Sequence, residues 1–485
     1  MDILEMQEEE ECVLKLPLGE AAKTFNLETA VCSHGLFMMS PNRWDPLSQS
    51  LSRPLRVSLD DDDNADAYPS SVTVTIYHPQ QDSNSLHVKV DNSGSGSVSS
   101  LLSSRQREAL LGQVRRMLRL SESEERNVRE FKRVISEMAE DCEYTKEFSG
   151  RVFRSPTLFE DMVKCILLCN CKYILTTRHW SRTLSMARAL CELQWELQHC
   201  PCGISVAEAE TENFIPTTPA EKESKTKRKA SEVATKLTSR FAEMKECSEE
   251  DIDSNLDRAG NIKDNLKPKF LRNNIADDSP CLVSYLQFSE GREPSACARI
   301  GNFPSPRELA KLDESVLAKR CNLGYRAGRI LKLAQGIVEG RIQLRELEEI
   351  SNETSLTTYD KLAEKLSSIN GFGPFTRANV LVCMGFYHVI PTDSETIRHL
   401  KQVHGRKSNT KTVQMDVEAI YGKYAPFQFL AYWSELWHFY EERFGKLSQM
   451  PHYDYKLITA CNMRIKNVHQ AKRSKISGQR AAKRG

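Results

Sequence analysis

The sequence predicts an α+β, mostly α protein, in which an N-terminal antiparallel β domain precedes a two-part helical domain. Three observations indicate this architecture. β-rich runs with partial alternation lie in the first hundred residues, helical spacing of apolar residues begins after them, and a long polar stretch divides the helical pattern. With 485 residues and 40% hydrophobic content, the chain is long and apolar enough for two or three packed units.

The β domain is predicted to cover residues 1–98. Its strands are expected at residues 56–59, 72–77 and 86–90, where apolar and β-branched residues partly alternate with polar ones. Segments rich in Asp, Asn, Ser and Gly bound these runs, which is typical of the turns of an antiparallel sheet.

The first part of the helical domain is predicted at residues 99–202. Apolar residues recur at helical spacing between Leu110 and Leu118. Farther along, Thr157 and Glu160 form a capping-box pattern, which predicts the start of a helix with one apolar face.

Residues 203–280 are rich in Glu, Lys, Ser, Thr, Asn and Asp and contain few aromatic residues. A stretch this long without periodicity predicts a disordered polar insertion rather than a loop within a domain. The second helical part is predicted at residues 281–450, where a capping box of Ser305 and Glu308 opens a helix. A basic tail is predicted at residues 451–485.

The net charge of +1 does not by itself indicate a nucleic-acid-binding protein. Positive charge is concentrated instead at residues 225–229 and in the tail, where residues 452–485 contain nine Lys or Arg and one acid. Such clusters act as nuclear-import signals or nonspecific phosphate contacts, or the tail is simply solvated.

Several features predict the cellular setting. The acidic start of the chain is unlike a secretory or transit peptide, and no apolar run is long enough to span a membrane. Fifteen scattered cysteines indicate reduced thiols in an intracellular compartment. We therefore expect a nuclear protein, with an organelle as the alternative, and no membrane partner.

A glycine-rich turn between two helical stretches is the most informative motif. A Gly-x-Gly turn that opens a helix presents free backbone N–H groups, which can hold a phosphate without reading sequence. Glycine also permits the turn geometry and the close approach of a phosphate. We expect the amides of Gly371, Gly373 and Phe375 to be the donors. The predicted DNA-backbone-binding residues are Asn370, Gly371, Phe372, Gly373, Pro374, Phe375 and Thr376.

Asp393 follows this motif by about twenty residues and precedes another predicted helix. Thr392 and Glu395 match a capping box with Thr392 as the cap. The helix dipole is then expected to keep Asp393 ionised near neutral pH, by about 0.3–1 kcal/mol. The alternative is that Asp393 only decorates the first helical turn and that the glycine turn is purely structural.

Separated segments, taken in order, resemble the helix-hairpin-helix-GPD DNA glycosylase superfamily. These segments are residues 158–167, 303–310 (FPSPRELA) and 323–330 (LGYRAGRI), followed by the glycine turn and Asp393. The resemblance covers about residues 155–200 and 285–445. The β domain is similar to that of the 8-oxoguanine glycosylase and 3-methyladenine glycosylase II branches. The four-cysteine iron–sulfur motif is missing, because only Cys461 lies beyond Asp393.

This resemblance implies a DNA glycosylase of base excision repair, in which the two helical parts flank a DNA cleft. Such an enzyme flips a damaged base from double-stranded DNA and hydrolyses its N-glycosidic bond. Asp393 would be the catalytic residue, stabilising the positive charge on the sugar or deprotonating the attacking water. We expect a monomer without a cofactor or a protein-bound metal, although family hairpins often hold a monovalent cation through loop carbonyls.

The resemblance also implies roles for three other residues. Lyase-competent relatives have a lysine at the position of Phe375, so a monofunctional enzyme is expected here; Phe375 either stacks on a flipped base or packs in the core. Asn170 aligns with the wedge that fills the gap left by the base, or is an ordinary helix C-cap. Tyr432 faces the base pocket or belongs to the core.

Two other classes of function remain open at this stage. One is a non-catalytic DNA-damage or DNA-structure binding protein that keeps the glycine turn. The other is a protein-interaction scaffold that uses the polar insertion. The damaged base is not determined either: alkylated purines, deaminated bases and oxidised purines all fit.

Overall fold

An antiparallel sheet begins the described part of the computed structural model, and helices form the rest of it. The structure describes residues 12–57, 71–91, 102–138, 148–169, 179–199, 300–351 and 355–458. They all belong to one compact unit, Met1–Val206 together with Cys297–Gly485. This confirms the mostly helical α+β class. The predicted insertion at 203–280 lies outside the described residues, so the domain boundaries remain predictions.

The sheet has five strands in the described part of the chain, in the order β1-β5-β4-β3-β2, and every pairing is antiparallel. The strands are β1 (Cys12–Pro17), β2 (Arg43–Asp45), β3 (Ser50–Arg56), β4 (Ser71–Tyr77) and β5 (Ser85–Val90). β4 and β5 lie where the alternation predicted them. The run predicted at 56–59 shares only Arg56 with a described strand, because β3 ends there; residues 58 and 59 lie outside the described part of the chain.

The sequence did not predict β1 and β2, and each omission has a physical reason. β1 alternates as expected for a half-buried strand, but it directly follows the acidic start of the chain. β2 has three residues, which is too short for a periodicity signal.

The helices follow mainly after the sheet. They are α1 (Leu27–Val31), α2 (Ser104–Leu118), α3 (Glu122–Met138), α4 (Leu158–Leu168), α5 (His179–His199), α6 (Pro306–Ala310), α7 (Glu314–Arg320), α8 (Arg326–Val338), α9 (Leu344–Ile350), α10 (Leu356–Ser367), α11 (Pro374–Cys383), α12 (Ser394–Val403), α13 (Val413–Tyr421) and α14 (Gln428–Phe444). Short 3-10 turns connect several of them. The capping box predicted at Ser305 is present at the start of α6. In none of the described helices do length and hydropathy reach what a membrane span requires.

A buried ion cluster joins the sheet to α4. Arg53 lies on the buried face of β3 between two core leucines, and its Nη2 is 2.9 Å from Glu160 Oε2. The Lys164 ammonium is 2.7 Å from the other oxygen of Glu160. Burial acts to raise the pKa of Glu160, but the two cations outweigh burial and hold that pKa at about 2. Because buried charges are tolerated only when paired, this cluster fixes how the sheet packs on α4.

A second buried arginine positions the helix that follows the glycine turn. Arg119 ends α2, and its Nη2 donates to the carbonyl oxygens of Val382 (2.9 Å) and Cys383 (3.0 Å) at the end of α11. Arg154 also donates to Cys383 O, at 2.9 Å. The last carbonyls of a helix have no partner within the helix and carry partial negative charge, so these guanidinium groups stabilise the C-terminus of α11.

A hydrophobic cluster formed mainly by α3, α12, α13 and α14 lies apart from the main core. It includes Leu400, Val417, Leu430 and Tyr432. This cluster determines where the start of α12, and therefore Asp393, is held.

The predicted basic tail begins as packed structure. Residues His452–Leu457 form a 3-10 turn, and Tyr455 is 4% exposed with its ring centroid 5.5 Å from that of Phe37. Residues 459–485 lie outside the described part of the chain. A truncation that tests the tail should therefore begin at residue 459, so that the core contact of Tyr455 is kept.

Candidate functional site

The glycine turn connects α10 to α11 as the sequence predicted. Gly371 has φ +90°, and a Cβ there would lie 2.6 Å from the Arg329 Cδ atom. Both observations require glycine at this position. Gly373 differs, because its φ of −67° suits any residue and a Cβ would meet no atom within 4 Å. The second glycine is therefore not needed for the backbone; it leaves the surface of the turn open.

The amides of the turn are free to bind a ligand. Within the described residues, the N–H groups of Gly371, Gly373 and Phe375 donate to no acceptor. A hydrogen bond from the Phe372 amide to the Ile369 carbonyl oxygen, 3.1 Å long, closes the turn instead. Unpaired donors at and just before the start of a helix are the arrangement that binds anions in other proteins, so the predicted phosphate contact is geometrically possible here.

The side chains of the turn divide into two groups. Phe372 is 4% exposed and Thr376 is 2% exposed, so both belong to the interior. The Thr376 hydroxyl lies 2.8 Å from Cys169 Sγ at the end of α4, which fastens the turn to that helix. Asn370, Gly373 and Pro374 are exposed and can meet a ligand directly.

Phe375 is partly exposed and carries no amine. Neither hydrophobic cluster of the described residues contains it. This favours a surface role for the ring over packing in the core, the alternative that the sequence left open.

Asp393 caps α12 with its own side chain. Its Oδ1 accepts from the amides of Glu395 (2.9 Å) and Thr396 (3.0 Å), and the Thr396 hydroxyl in turn accepts from the Asp393 amide at 3.3 Å. The prediction that Thr392 is the cap is wrong by one residue. Both residues are good caps, and the pattern was matched to Glu395 when the reciprocal partner is Thr396.

One oxygen of Asp393 remains available. All of the hydrogen bonds that the carboxylate accepts from described residues reach Oδ1, so Oδ2 is free for water or a substrate. The amides hold the carboxylate in one orientation without using the second oxygen.

The pKa of Asp393 is raised above its ordinary value. Desolvation by the surrounding protein is the main cause; the Thr396 amide opposes it and the charge of Glu395 adds to it. The shift is opposite in direction to the effect of the helix dipole alone, and the expectation that Asp393 is ionised near neutral pH stays a prediction. The side chain is nevertheless exposed. Because solvent reaches this side chain, the upward shift is smaller than complete burial would give.

Tyr432 lies in the protein interior beneath the first turn of α12 and not on the surface beside Asp393. It is 3% exposed, and its hydroxyl is 3.2 Å from Thr396 Oγ1. Burial raises the pKa of Tyr432, and the charge of Asp393 raises it further. The structure thus places this ring in the core, where it supports the first turn of α12. Asn170, the predicted wedge, lies outside the described residues.

Two residues near the turn were not assigned a role from the sequence. Tyr325 is 49% exposed, and its hydroxyl donates to the Cys169 carbonyl oxygen at 3.2 Å. The Arg329 guanidinium lies 4.8 Å from the centre of that ring, and its Cδ lies against Gly371. An exposed aromatic ring and a cation beside free amides suit contact with a nucleic acid. The GYRA segment contained this signal, but its link to the turn required the fold.

His399, His404 and Glu435 form a polar cluster that the sequence analysis also missed. Their ligand atoms lie within 4.8 Å of one another, which is close enough for one metal ion to contact all three. The Nε2 atoms of His399 and His404 are 2.6 and 2.7 Å from Glu435 Oε1. Bonds of about 2.0–2.1 Å to Zn²⁺ would hold tetrahedral ligand atoms about 3.3 Å apart.

The observed contacts are shorter than that spacing and are ordinary hydrogen-bond lengths, and the second nitrogen of His399 gives no support for a metal ligand. His399 Nδ1 is buried without a hydrogen-bond partner among the described residues. A ligating histidine normally donates this N–H to an acceptor, so metal binding through Nε2 would leave a buried donor unpaired. The cluster therefore fits hydrogen bonds that converge on one carboxylate. The expectation of no bound metal stays a prediction, as does the monovalent cation at the turn.

Comparison with known proteins finds likeness to solved structures. No protein-family model matches the chain. No curated protein matches it either. The 3-methyladenine DNA-glycosylase from Archaeoglobus fulgidus is similar at a TM-score of 0.44 and 14% identity, over 89% of this chain and 99% of that chain. MBOgg1 in complex with a low-affinity DNA ligand gives a TM-score of 0.38 and 14% identity, over 81% of this chain and 98% of that chain.

An 8-oxoguanine glycosylase/lyase from Clostridium acetobutylicum in its apo form gives a TM-score of 0.38 and 12% identity, over 82% of this chain and 98% of that chain. The structural neighbours are thus DNA glycosylases. At identities and TM-scores this low, the functional assignment has to come from the residues of this chain.

Proposed function

We propose that the protein is a monofunctional DNA glycosylase of base excision repair, which hydrolyses the N-glycosidic bond of a damaged base flipped from double-stranded DNA. The observation that carries this proposal is the Asp393 carboxylate: backbone amides fix one oxygen, and the other accepts no hydrogen bond from the described residues of this exposed side chain. The proposal includes a monomeric enzyme and, from the basic clusters of the sequence, a nuclear location.

DNA binding is assigned to the glycine turn. The free amides of Gly371, Gly373 and Phe375 bind a backbone phosphate, which holds the duplex without reading its sequence. Tyr325 and Arg329 lie beside the turn, where an aromatic face and a cation can contact an unstacked nucleotide.

Catalysis is assigned to Asp393. Bond cleavage gives the sugar the character of an oxocarbenium ion, and Oδ2 of the ionised carboxylate stabilises that charge or accepts a proton from the attacking water. The amides that bind Oδ1 keep Oδ2 directed outward. The raised pKa makes the carboxylate a better proton acceptor than an ordinary aspartate.

The proposed activity is tested by release of free bases from a panel of lesion-bearing duplexes. The panel should contain alkylated purines, deaminated bases and oxidised purines, with an undamaged duplex as the control. We expect one class to release base under single-turnover conditions. Tight lesion binding without release from any duplex would instead assign a non-catalytic binding protein.

The absence of an amine at Phe375 gives a prediction about strand cleavage. Without a nucleophilic nitrogen at this position, base release should leave an intact abasic strand and no covalent imine. Borohydride reduction during turnover should therefore trap no protein–DNA adduct, while a bifunctional glycosylase in the same assay should give one. A trapped adduct that disappears when another lysine is replaced would show that the enzyme is a lyase.

A further inference from the structure

A run of positive charge follows the proposed catalytic residue along the chain. Residues 396–415 contain five Lys or Arg and no Asp or Glu, in a protein whose net charge is +1. These cations are Arg398, Lys401, Arg406, Lys407 and Lys411. The run covers most of α12 and its connection to α13. We call residues 401–411 the basic loop.

Four of the five cations have no counter-ion within the described residues. Arg398 is the exception, because its guanidinium forms an ion pair with Glu395. The other four side chains are exposed, and none makes a salt bridge or a hydrogen bond with the rest of the described chain. Elsewhere in the described chain many exposed cations are paired on the surface, as Arg345 is with Glu349 and Lys365 with Glu346.

The backbone of the basic loop is nevertheless well fixed. The Arg406 amide donates to the Leu400 carbonyl oxygen at 3.1 Å, which closes the end of α12. Asn409 Oδ1 accepts from the amides of Lys411 (2.8 Å) and Thr412 (3.0 Å). The His404 ring is held by Glu435 on α14. A fixed backbone that presents unpaired charges loses little further entropy when a polyanion binds.

We propose that the basic loop binds the phosphate backbone of duplex DNA, as a second contact separate from the glycine turn. Lysine and arginine side chains on a defined backbone neutralise phosphates and release their counter-ions, which gives affinity without reading sequence. The net charge of the chain cannot provide this affinity, so it must come from a local concentration of cations.

The fold also limits how far this contact lies from the proposed catalytic residue. α12 begins at its cap Asp393 and has 10 residues, so its far end lies about 15 Å from the cap at a rise of 1.5 Å per residue. At about 3.4 Å per base pair, this distance places the contact within roughly four base pairs of the flipped nucleotide. This placement rests on the proposed function, whereas binding of undamaged duplex does not.

The test replaces Lys401, Arg406, Lys407 and Lys411 together by Gln. A matched control replaces Arg126, Lys132, Lys311 and Lys319, which are also exposed but are spread over other elements. The slope of log affinity against log salt is measured on undamaged duplex. We expect it to flatten by about 0.9 for each lost phosphate contact in the loop variant, and to stay unchanged in the control.

A second measurement locates the contact. Lesion duplexes are shortened on either side until about three base pairs remain beside the lesion. Shortening on one side should remove the difference in affinity between the unaltered protein and the loop variant, and shortening on the other side should not. Loss of the difference on both sides or on neither side contradicts the placement.

The outcomes separate the two proposals. The loop proposal is overturned if the loop variant keeps the salt slope of the unaltered protein, or if the slope of the control variant flattens equally. The glycosylase assignment is still tested by base release in that case. If no lesion releases base but the loop variant alone flattens the slope, the loop proposal stands and the glycosylase assignment fails. Failure of the unaltered protein to bind duplex overturns both. Because all four changes are at exposed positions, matching thermal unfolding of variant and control is expected.

Discussion

Replacing Asp393 by Asn should lower single-turnover base release by about 10²- to 10⁴-fold while leaving lesion binding largely intact. The range is that expected when a positioned acid–base group is lost. Asparagine caps helices about as well as aspartate and can still accept from the Glu395 and Thr396 amides, so α12 should keep its start. Only the negative charge needed at the transition state is lost.

Asp313 provides a matched control for this substitution. It caps α7 in the same way, with Oδ1 accepting from the amides of Ser315 (2.8 Å) and Val316 (3.2 Å). The Asp313→Asn variant should release base at the unaltered rate. Near-normal release by Asp393→Asn, or an equal loss of binding and release, would contradict the catalytic assignment.

The pH dependence of base release should also show that Asp393 is the catalytic group. Because the pKa of Asp393 is raised, the rate of base release should increase with pH over a range that lies above the ordinary aspartate pKa near 3.9.

The contribution of Asp393 to folding stability changes with pH in the opposite direction. A raised pKa in the folded state favours folding below the unfolded-state pKa, and this contribution is lost as pH rises through the folded-state pKa. The stability of Asp393→Asn relative to the unaltered protein should therefore increase with pH.

Local signals in the sequence were enough to predict the turn and the helix that follows it. Gly371 is required by its own backbone conformation, and Pro374 suits the first position of a helix, so neither depends on distant contacts. β4 and β5 could also be predicted from the sequence, because the alternation of apolar and polar residues is a property of neighbouring positions.

What escaped the sequence analysis depends on contacts between distant segments. The roles of Tyr325 and Arg329 become visible only when α8 packs beside the turn. Tyr432 looks the same in a core and in a pocket until its burial is known. The direction of the pKa shift of Asp393 also depends on distant contacts, since desolvation by the surrounding fold outweighs the hydrogen bonds from the nearby amides.

Glu435 is the clearest example of such a contact and gives the largest expected effect on stability. Its Oε1 accepts from the Tyr421 hydroxyl at 2.8 Å, in addition to its contacts with His399 and His404. These contacts hold α12, α13 and the start of the basic loop to α14. Burial acts to raise the pKa of Glu435, but hydrogen bonds from the two histidines outweigh it and hold that pKa well below its usual range.

Replacing Glu435 by Ala should therefore lower the free energy of unfolding by about 3 kcal/mol, since hydrogen bonds to a charged group contribute about 1.5–3 kcal/mol each and are not additive. Gln should cost less, because its amide oxygen still accepts. Urea unfolding measures the loss of stability in both variants, and Glu442→Gln on the exposed side of the same helix is the control.

The stabilisation by Glu435 should depend on pH. A depressed pKa stabilises the fold above the unfolded-state pKa, near 4.3 for glutamate, and this contribution is lost as pH falls through the folded-state pKa. The difference from the unaltered protein should accordingly be largest at neutral pH and shrink in acid. An increase in the melting temperature with added Zn²⁺, lost in the Glu435 variants, would instead show that the cluster binds metal.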